Sequence, residues 1–219
     1  PDLGTSLLIG ASGVYVLFFS GVRVMLLKNK WLNLLLLSSL LGGSLFLAWN
    51  YFLIAYQKRR ILTLFNPESD PLGSGYHIIQ SKIAIGSGGF TGKGIAKGSQ
   101  SQLDFVPEQS TDFIFSVLAE ELGFLGVLLL IIIYSLIIYR CLILSLRCED
   151  NFSRLLGASL TFVFFTYIFV NIGMVSGLLP VVGVPLPLIS YGGSSLITLM
   201  ASFGIIMSIH KHKGPRYLQ

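Results

Sequence analysis

Charge is what this sequence has least of. Only 11% of its 219 residues are Asp, Glu, Lys or Arg and 53% are hydrophobic, whereas a soluble domain carries about 25% charged residues. Too little charge is present to cover a water-exposed surface, so an integral membrane protein is predicted. The apolar runs last for about twenty residues and do not alternate over about ten, which excludes a transmembrane barrel in favour of helices. Cysteine is scarce as well. Cys141 and Cys148 have no second pair, and neither a disulfide nor a cysteine metal site is read. No solenoid repeat is visible. An initiating Met and a signal-like segment are both missing before the first hydrophobic run, and the expectation is a fragment whose N-terminal helices lie elsewhere. Acids are fewer than bases, for a net charge of +5. The bases cluster at the ends of apolar runs, so membrane orientation and lipid headgroups account for them and nucleic acid does not.

The pattern predicts an all-α integral membrane protein, a polytopic helical bundle forming one domain over 1–219. About five spans are expected, near 4–21, 31–52, 113–140, 155–179 and 194–210, with a large outer loop over 53–111 that carries an interfacial helix near 76–85. Arg23, Lys28 and Lys30, then Arg140, Arg147 and Arg154, then Lys211, Lys213 and Arg216 mark alternate loops as cytoplasmic, the C-terminus included. Lys58, Arg59 and Arg60 fall on the other side. Flanking anchors and a grip on an anionic headgroup are equally good accounts of them.

The stretch from Gly98 to Phe113 gathers acids where a helix enters the membrane. Asp104, Glu108 and Asp112 recur every four residues, but Pro107 argues against one unbroken helix and for a bent loop. Ser110 or Thr111 is expected as the N-cap, with Asp112 in the first turn, where the helix dipole favours a negative charge. Glu120 and Glu121 follow about 12 Å further along the axis. An ionised acid deep in a bilayer costs about 3 kcal/mol or more, so one of them is expected to face a polar cavity. Six glycines between Gly86 and Gly98 are interleaved with Lys93 and Lys97. A flexible lid is favoured there over a backbone cradle for phosphate, and no P-loop is present. Gly173 and Gly177 suit close helix packing. The charge-free run from Pro180 to Gly193 is tolerated at membrane depth only if buried or lining a cavity, and is expected as a re-entrant wall of the site. His210 and His212 read as a solvated terminus.

Pro1-Asp2-Leu3-Gly4-Thr5, the run from Asp70 to Gly89, Phe105-Val106-Pro107-Glu108 with Thr111-Asp112-Phe113, Ala119-Glu120-Glu121-Leu122-Gly123, and Asn171 to Gly177 with Ser190 to Gly193 together resemble the SEDS family. The likeness is stronger to its rod-shape-determining branch than to its division branch, and covers essentially the whole chain. The resemblance implies ten membrane helices in the intact protein, of which this chain holds about the last five. It also implies a glycosyltransferase that polymerises lipid II into peptidoglycan strands beside a class B penicillin-binding protein, in the bacterial inner membrane with its active site on the periplasmic side.

On that resemblance Asp112 takes the position of the essential acid and Asp104 that of a second one, where relatives often carry Glu. Glu108, Glu120 and Glu121 match supporting acids. A carboxylate that accepts the proton of an attacking sugar hydroxyl fits the chemistry, and Asp112 is equally a candidate ligand for a divalent cation, Mg or Mn. Lys82, Lys93, Lys97 and Arg59 are candidates to meet the departing diphosphate, and Gln102 and Ser190 complete the substrate-binding set. Two rivals are a flippase for the same lipid and a non-catalytic scaffold for a transpeptidase.

Overall fold

A computed structural model describes residues 3–21, 30–70, 73–98 and 111–211. Among them every regular element is helical: α1 (Leu3–Phe19), α2 (Lys30–Leu47), α3 (Ala55–Phe65), α4 (Ser74–Ser87), α5 (Ile114–Leu146), α6 (Asn151–Val175) and α7 (Gly193–Lys211). A π-helical turn, Ala48–Phe52, extends α2, and a 3-10 turn, Pro67–Ser69, links α3 to α4. Helices α5, α6 and α7 are each long and apolar enough to cross a membrane. Helices α1 and α2 add 17 and 18 residues of mostly apolar sequence. The chain is thus a polytopic helical membrane protein, with α3 and α4 inside the stretch expected as a loop.

The core is built where α5 and α6 run side by side. Leu130 and Tyr134 of α5 meet Phe164 and Ile168 of α6, and Ile78 of α4, Val181 and Leu186 close the cluster. Further along, the Ser145 hydroxyl fills the notch left by Gly157, where a Cβ would collide with it. That fit lets the two helices approach closely. Asp150 starts α6 by accepting the Ser153 N–H at 3.0 Å and its hydroxyl at 3.1 Å. The backbone bond and then the hydroxyl hold the Asp150 carboxyl below its ordinary value. Its capping contribution is therefore present above the usual carboxylate range and lost as pH falls through the lowered value. Cys141 and Cys148 are buried free thiols.

Helix α5 departs from the single straight span expected from the sequence. Its 33 residues would reach about 50 Å if straight, well beyond a hydrocarbon core of about 30 Å. A kink at Gly123, φ 64° and ψ −162°, divides it. The glycine-rich segment after α4 repairs the broken ladder. Phe124 and Leu125 N–H donate to Gly89 and Phe90 carbonyls at 3.0 and 3.2 Å, while Lys93 and Gly94 N–H donate to Glu120 and Glu121 carbonyls at 3.0 and 2.9 Å. The Glu120 and Glu121 carbonyls and the Phe124 and Leu125 N–H groups, which would pair with each other in a straight helix, each take a partner from the loop. Side chains are excluded from the contact, since a Cβ on Gly92 would strike the Glu121 carbonyl and one on Gly123 the backbone of Gly92. The segment is thus a fitted strap, and its Lys93 and Gly94 amides are committed to α5 rather than open to phosphate.

Two other expectations are revised. Gly177 lies beyond α6 with φ +70°. The Gly177 N–H reaches the Met174 carbonyl at 3.1 Å and the Leu178 N–H the Gly173 carbonyl at 2.8 Å. That pair of bonds is a Schellman cap, so these glycines end a helix where helix packing was expected. Helix α4 is too short to span, as expected, but turns Ile78, Ser81 and Ala84 into the protein. The Ser81 hydroxyl donates to the Val175 carbonyl at 2.8 Å and pins α4 across the end of α6.

Because the kink needs both a left-handed backbone and the absence of a Cβ, Gly123→Ala in the intact protein is expected to cost at least about 2 kcal/mol. Gly86→Ala, where an added Cβ meets nothing within 4 Å, is the control and should be near neutral. Thermal unfolding in detergent measures both, and an equal shift for the two would show that the strap carries no such constraint.

Candidate functional site

Asp112 lies two residues before α5, on the end of the bundle that the strap and α4 also occupy. The N-cap is Phe113, not the expected Ser110 or Thr111, so Asp112 sits in the turn ahead of the helix and not in its first turn. Its carbonyl accepts the Asn171 Nδ2–H at 2.9 Å. The next residue, Phe113, is buried and stacks on His77 of α4 with ring centroids 5.6 Å apart. The carboxylate itself lies over Gly183, where an added Cβ would come within 3.3 Å of Oδ2. Gly183 has φ +73°, so glycine serves both the turn and the close approach.

Gly183 belongs to the irregular run expected as a re-entrant wall, and the run has that character. Val181, Val184 and Leu186 are buried, and several of its backbone groups are satisfied from within the protein. Tyr134, near the midpoint of the α5 segment after the kink, donates its hydroxyl to the Pro187 carbonyl at 2.6 Å. Asn171 donates to the Val184 carbonyl at 2.6 Å, and Arg60 to the Val181 carbonyl at 3.0 Å. Irregular backbone survives at this depth because each of these carbonyls has a donor.

On the other side of the run is a cavity of about 730 Å³ between α1, α6 and α7. Leu8, Val163, Phe164, Leu199 and Phe203 give it an apolar lining, and among the described residues no charged side chain contributes. Gly183 is shared, lining the cavity and facing Asp112. A carboxylate thus stands next to an apolar cavity able to take a hydrocarbon chain. Such a carboxylate can accept a proton from a hydroxyl or contribute one ligand to a cation.

The other sequence candidates fall into distinct places. Asp104, Glu108 and Gln102 lie outside the described residues. Glu120 is fully buried and pairs with Lys93 at 2.7 Å, with the Ser87 hydroxyl at 3.5 Å. Where a polar cavity was expected for one of the two acids, Glu120 instead lies in a buried ion pair, before the kink, with its partner supplied by the strap. Glu121 is half-buried and accepts the Ala96 N–H at 3.0 Å. The charge of Lys93, expected on a diphosphate, is therefore already matched by Glu120. Arg59 pairs with Asp70 at 2.8 Å. Lys82 is exposed and its stem runs across Gly177 at the end of α6, and Lys97 is exposed on the strap. Ser190 lines the cavity, yet its hydroxyl donates to the Thr111 carbonyl and accepts the Leu186 N–H at 2.7 Å.

Two residues of the site were not picked out from the sequence. Asn171 was visible only as a lone carboxamide in an apolar span, and Arg60 only as one of a basic cluster. Among the described residues no three of His, Cys, Asp and Glu gather closely enough to hold a metal ion.

The cell cycle protein family of FtsW, RodA and SpoVE matches residues 1–214 of this chain. Peptidoglycan glycosyltransferase MrdB of Escherichia coli K12 is 55% identical over 213 residues, covering 97% of this chain and 56% of that protein. Peptidoglycan glycosyltransferase RodA of Treponema pallidum is 46% identical over 155 residues, 71% of this chain and 36% of that protein. Among solved structures, one reported as the structural coordination of polymerization and crosslinking by a peptidoglycan synthase complex aligns with a TM-score of 0.75 and 32% identity. It covers all of this chain and 57% of its counterpart. The chain spans about half the length of the curated relatives it matches over nearly its whole extent.

The ion pair yields a test of its own. Lys93→Met strands a buried carboxylate and is expected to destabilise the intact protein by about 3 kcal/mol, whereas adding Glu120→Gln should recover much of the loss. Denaturation of the single and double variants measures this, and equal losses would mean that the charges are not coupled.

Proposed function

The chain belongs to the FtsW, RodA and SpoVE family of cell cycle proteins, and on that premise we propose that it carries the catalytic carboxylate of a peptidoglycan glycosyltransferase. The intact protein polymerises lipid II into glycan strands for cell-wall elongation and rod shape. One observation carries the reading: the Asp112 carboxylate lies against Gly183, the residue that also lines the apolar cavity.

Lipid II joins a polar headgroup to a long polyprenyl chain, and the two surfaces of the Gly183 turn suit those two parts. The sugar hydroxyl that attacks the anomeric carbon is a weak nucleophile. Asp112 takes its proton as the new glycosidic bond forms, and the electron pair of the old bond leaves with undecaprenyl diphosphate. Positive charge for that leaving group comes from Lys82, Lys97 and Arg60, the last of them already anchored on the re-entrant run. A divalent cation, Mg or Mn, would add Lewis-acid stabilisation of the diphosphate. It would be held by Asp112 with Asp104 or Glu108, because Mg is commonly bound by one or two carboxylates together with substrate phosphates.

Arg147 and Arg154 lie around the α5–α6 turn, and His210 and Lys211 end α7. Both positions are at the opposite end of the bundle from Asp112. Their basic character supports a cytoplasmic C-terminus and a site on the periplasmic side of the bacterial inner membrane. A class B penicillin-binding protein is the partner that such a polymerase would feed. Transport of the whole lipid is less well supported, since a charged headgroup crossing the bilayer needs polar or ionisable groups along its path and the described residues give the cavity no charged lining.

The test is polymerisation of purified lipid II by the full-length protein with its penicillin-binding partner. Asp112→Asn is expected to lower the rate at least about 10²-fold while leaving folding and partner binding intact. Chelation followed by Mg or Mn readdition tests the cation in the same assay. An unchanged rate for Asp112→Asn would remove the carboxylate from the chemistry and favour a scaffold.

A further inference from the structure

We propose that Asn171 and Ser190 form a two-point staple that sets where the Asp112 carboxylate stands, making them positioning residues for the reaction. The inference rests on the glycosyltransferase reading above and extends it to residues that touch no reacting atom. It begins at the entrance of α5. Asp112 precedes the N-cap Phe113 and so lies outside the helix ladder, and the first-turn Ser116 N–H closes on the Phe113 carbonyl at 3.0 Å. The carbonyl of Asp112 is left for another donor, and in a buried setting it must have one.

Each side chain of the staple holds both segments. The Asn171 amide, wholly buried on α6, gives one hydrogen to Asp112 O at 2.9 Å and one to Val184 O at 2.6 Å. With two carbonyls to satisfy, the nitrogen must face them, so its orientation follows from its partners. The Ser190 hydroxyl donates to Thr111 O and accepts the Leu186 N–H. Residues 111 and 112 are thus fixed to residues 184 and 186, and the glycine that lies under the carboxylate, Gly183, is next to one of these anchor points. The carboxylate and the cavity edge are bound together as one unit. Asn171 Oδ1 is buried and has no hydrogen-bond partner, so a costly buried carboxamide is kept for its two donors alone.

A base misplaced by about 1 Å can lose about 10²-fold in rate, although the substrate still binds. In the full-length protein with its partner, Asn171→Leu and Ser190→Ala should each lower kcat on lipid II by about 10²-fold with KM changed by less than about twofold. Ser190→Thr, which keeps the hydroxyl, should restore most of the rate. A readout independent of activity follows residue 112 directly. In an Asp112→Cys background, the rate of labelling by a membrane-impermeant maleimide should change several-fold when Asn171→Leu or Ser190→Ala is added, with the protein lacking the new thiol as blank. Unchanged labelling in both variants overturns the staple, as does a raised KM with kcat preserved. If labelling shifts as expected but the wild type makes no polymer from lipid II, the staple stands and the glycosyltransferase reading falls.

Discussion

A buried peptide group with no water beside it must be hydrogen-bonded by the protein itself, and the region around Asp112 is organised by that demand. At the kink in α5 and at three carbonyls of the re-entrant run, a specific donor or acceptor has been brought to the backbone. The kink at Gly123 exchanges its lost bonds for four with the strap. The re-entrant run has Tyr134, Asn171 and Arg60 on the Pro187, Val184 and Val181 carbonyls. Removing any one of these partners would strand a polar group at a cost of about 1–3 kcal/mol, comparable to a fair share of a domain's net stability.

Two devices divide the work of holding Asp112. From one side, the strap and the Lys93–Glu120 pair brace the short first segment of α5, so that its direction is set independently of the long segment beyond Gly123. From the other, Asn171 and Ser190 join the residues before that segment to the re-entrant run. A buried ion pair is a poor source of stability but a demanding constraint on geometry, because either partner alone is costly. That property suits a brace better than it suits a ligand site. It also explains why Lys93 is a weak candidate for a substrate diphosphate, since recruiting it would leave Glu120 behind.

The cavity and the carboxylate meet through a glycine. A Cβ at Gly183 would stand 3.3 Å from the Asp112 Oδ2, a tight contact, and would strain a backbone already at positive φ. The contact brings an apolar compartment and a charged group together without exposing either to the other's full environment.

Composition determined that the chain is a membrane protein, because 53% hydrophobic residues with 11% charged leave no other solvent for it, and the length of the apolar runs made it helical. The apolar runs fall on α1, α2, α5, α6 and α7, although α5 continues to Leu146, past the end at 140 that its run suggested, and the charge-free, proline-rich stretch after α6 was legible as a buried wall. Asp112 stood out by its place at a helix entrance. What the sequence could not carry was pairing at a distance. Gly123 and the glycines of the strap are individually ordinary, and only their mutual approach shows that they are two halves of one kink. Gly173 and Gly177 have the spacing of a packing motif, and only the hydrogen bonds beyond the helix end reveal a cap. Asn171 was one amide in an apolar span, 59 residues from the carbonyl that it holds. Solvent preference is a property of each residue and adds up along a chain, so it can be read there. Hydrogen bonds between distant segments exist only once the backbone has been folded to bring them within about 3 Å, and that the tertiary structure alone decided.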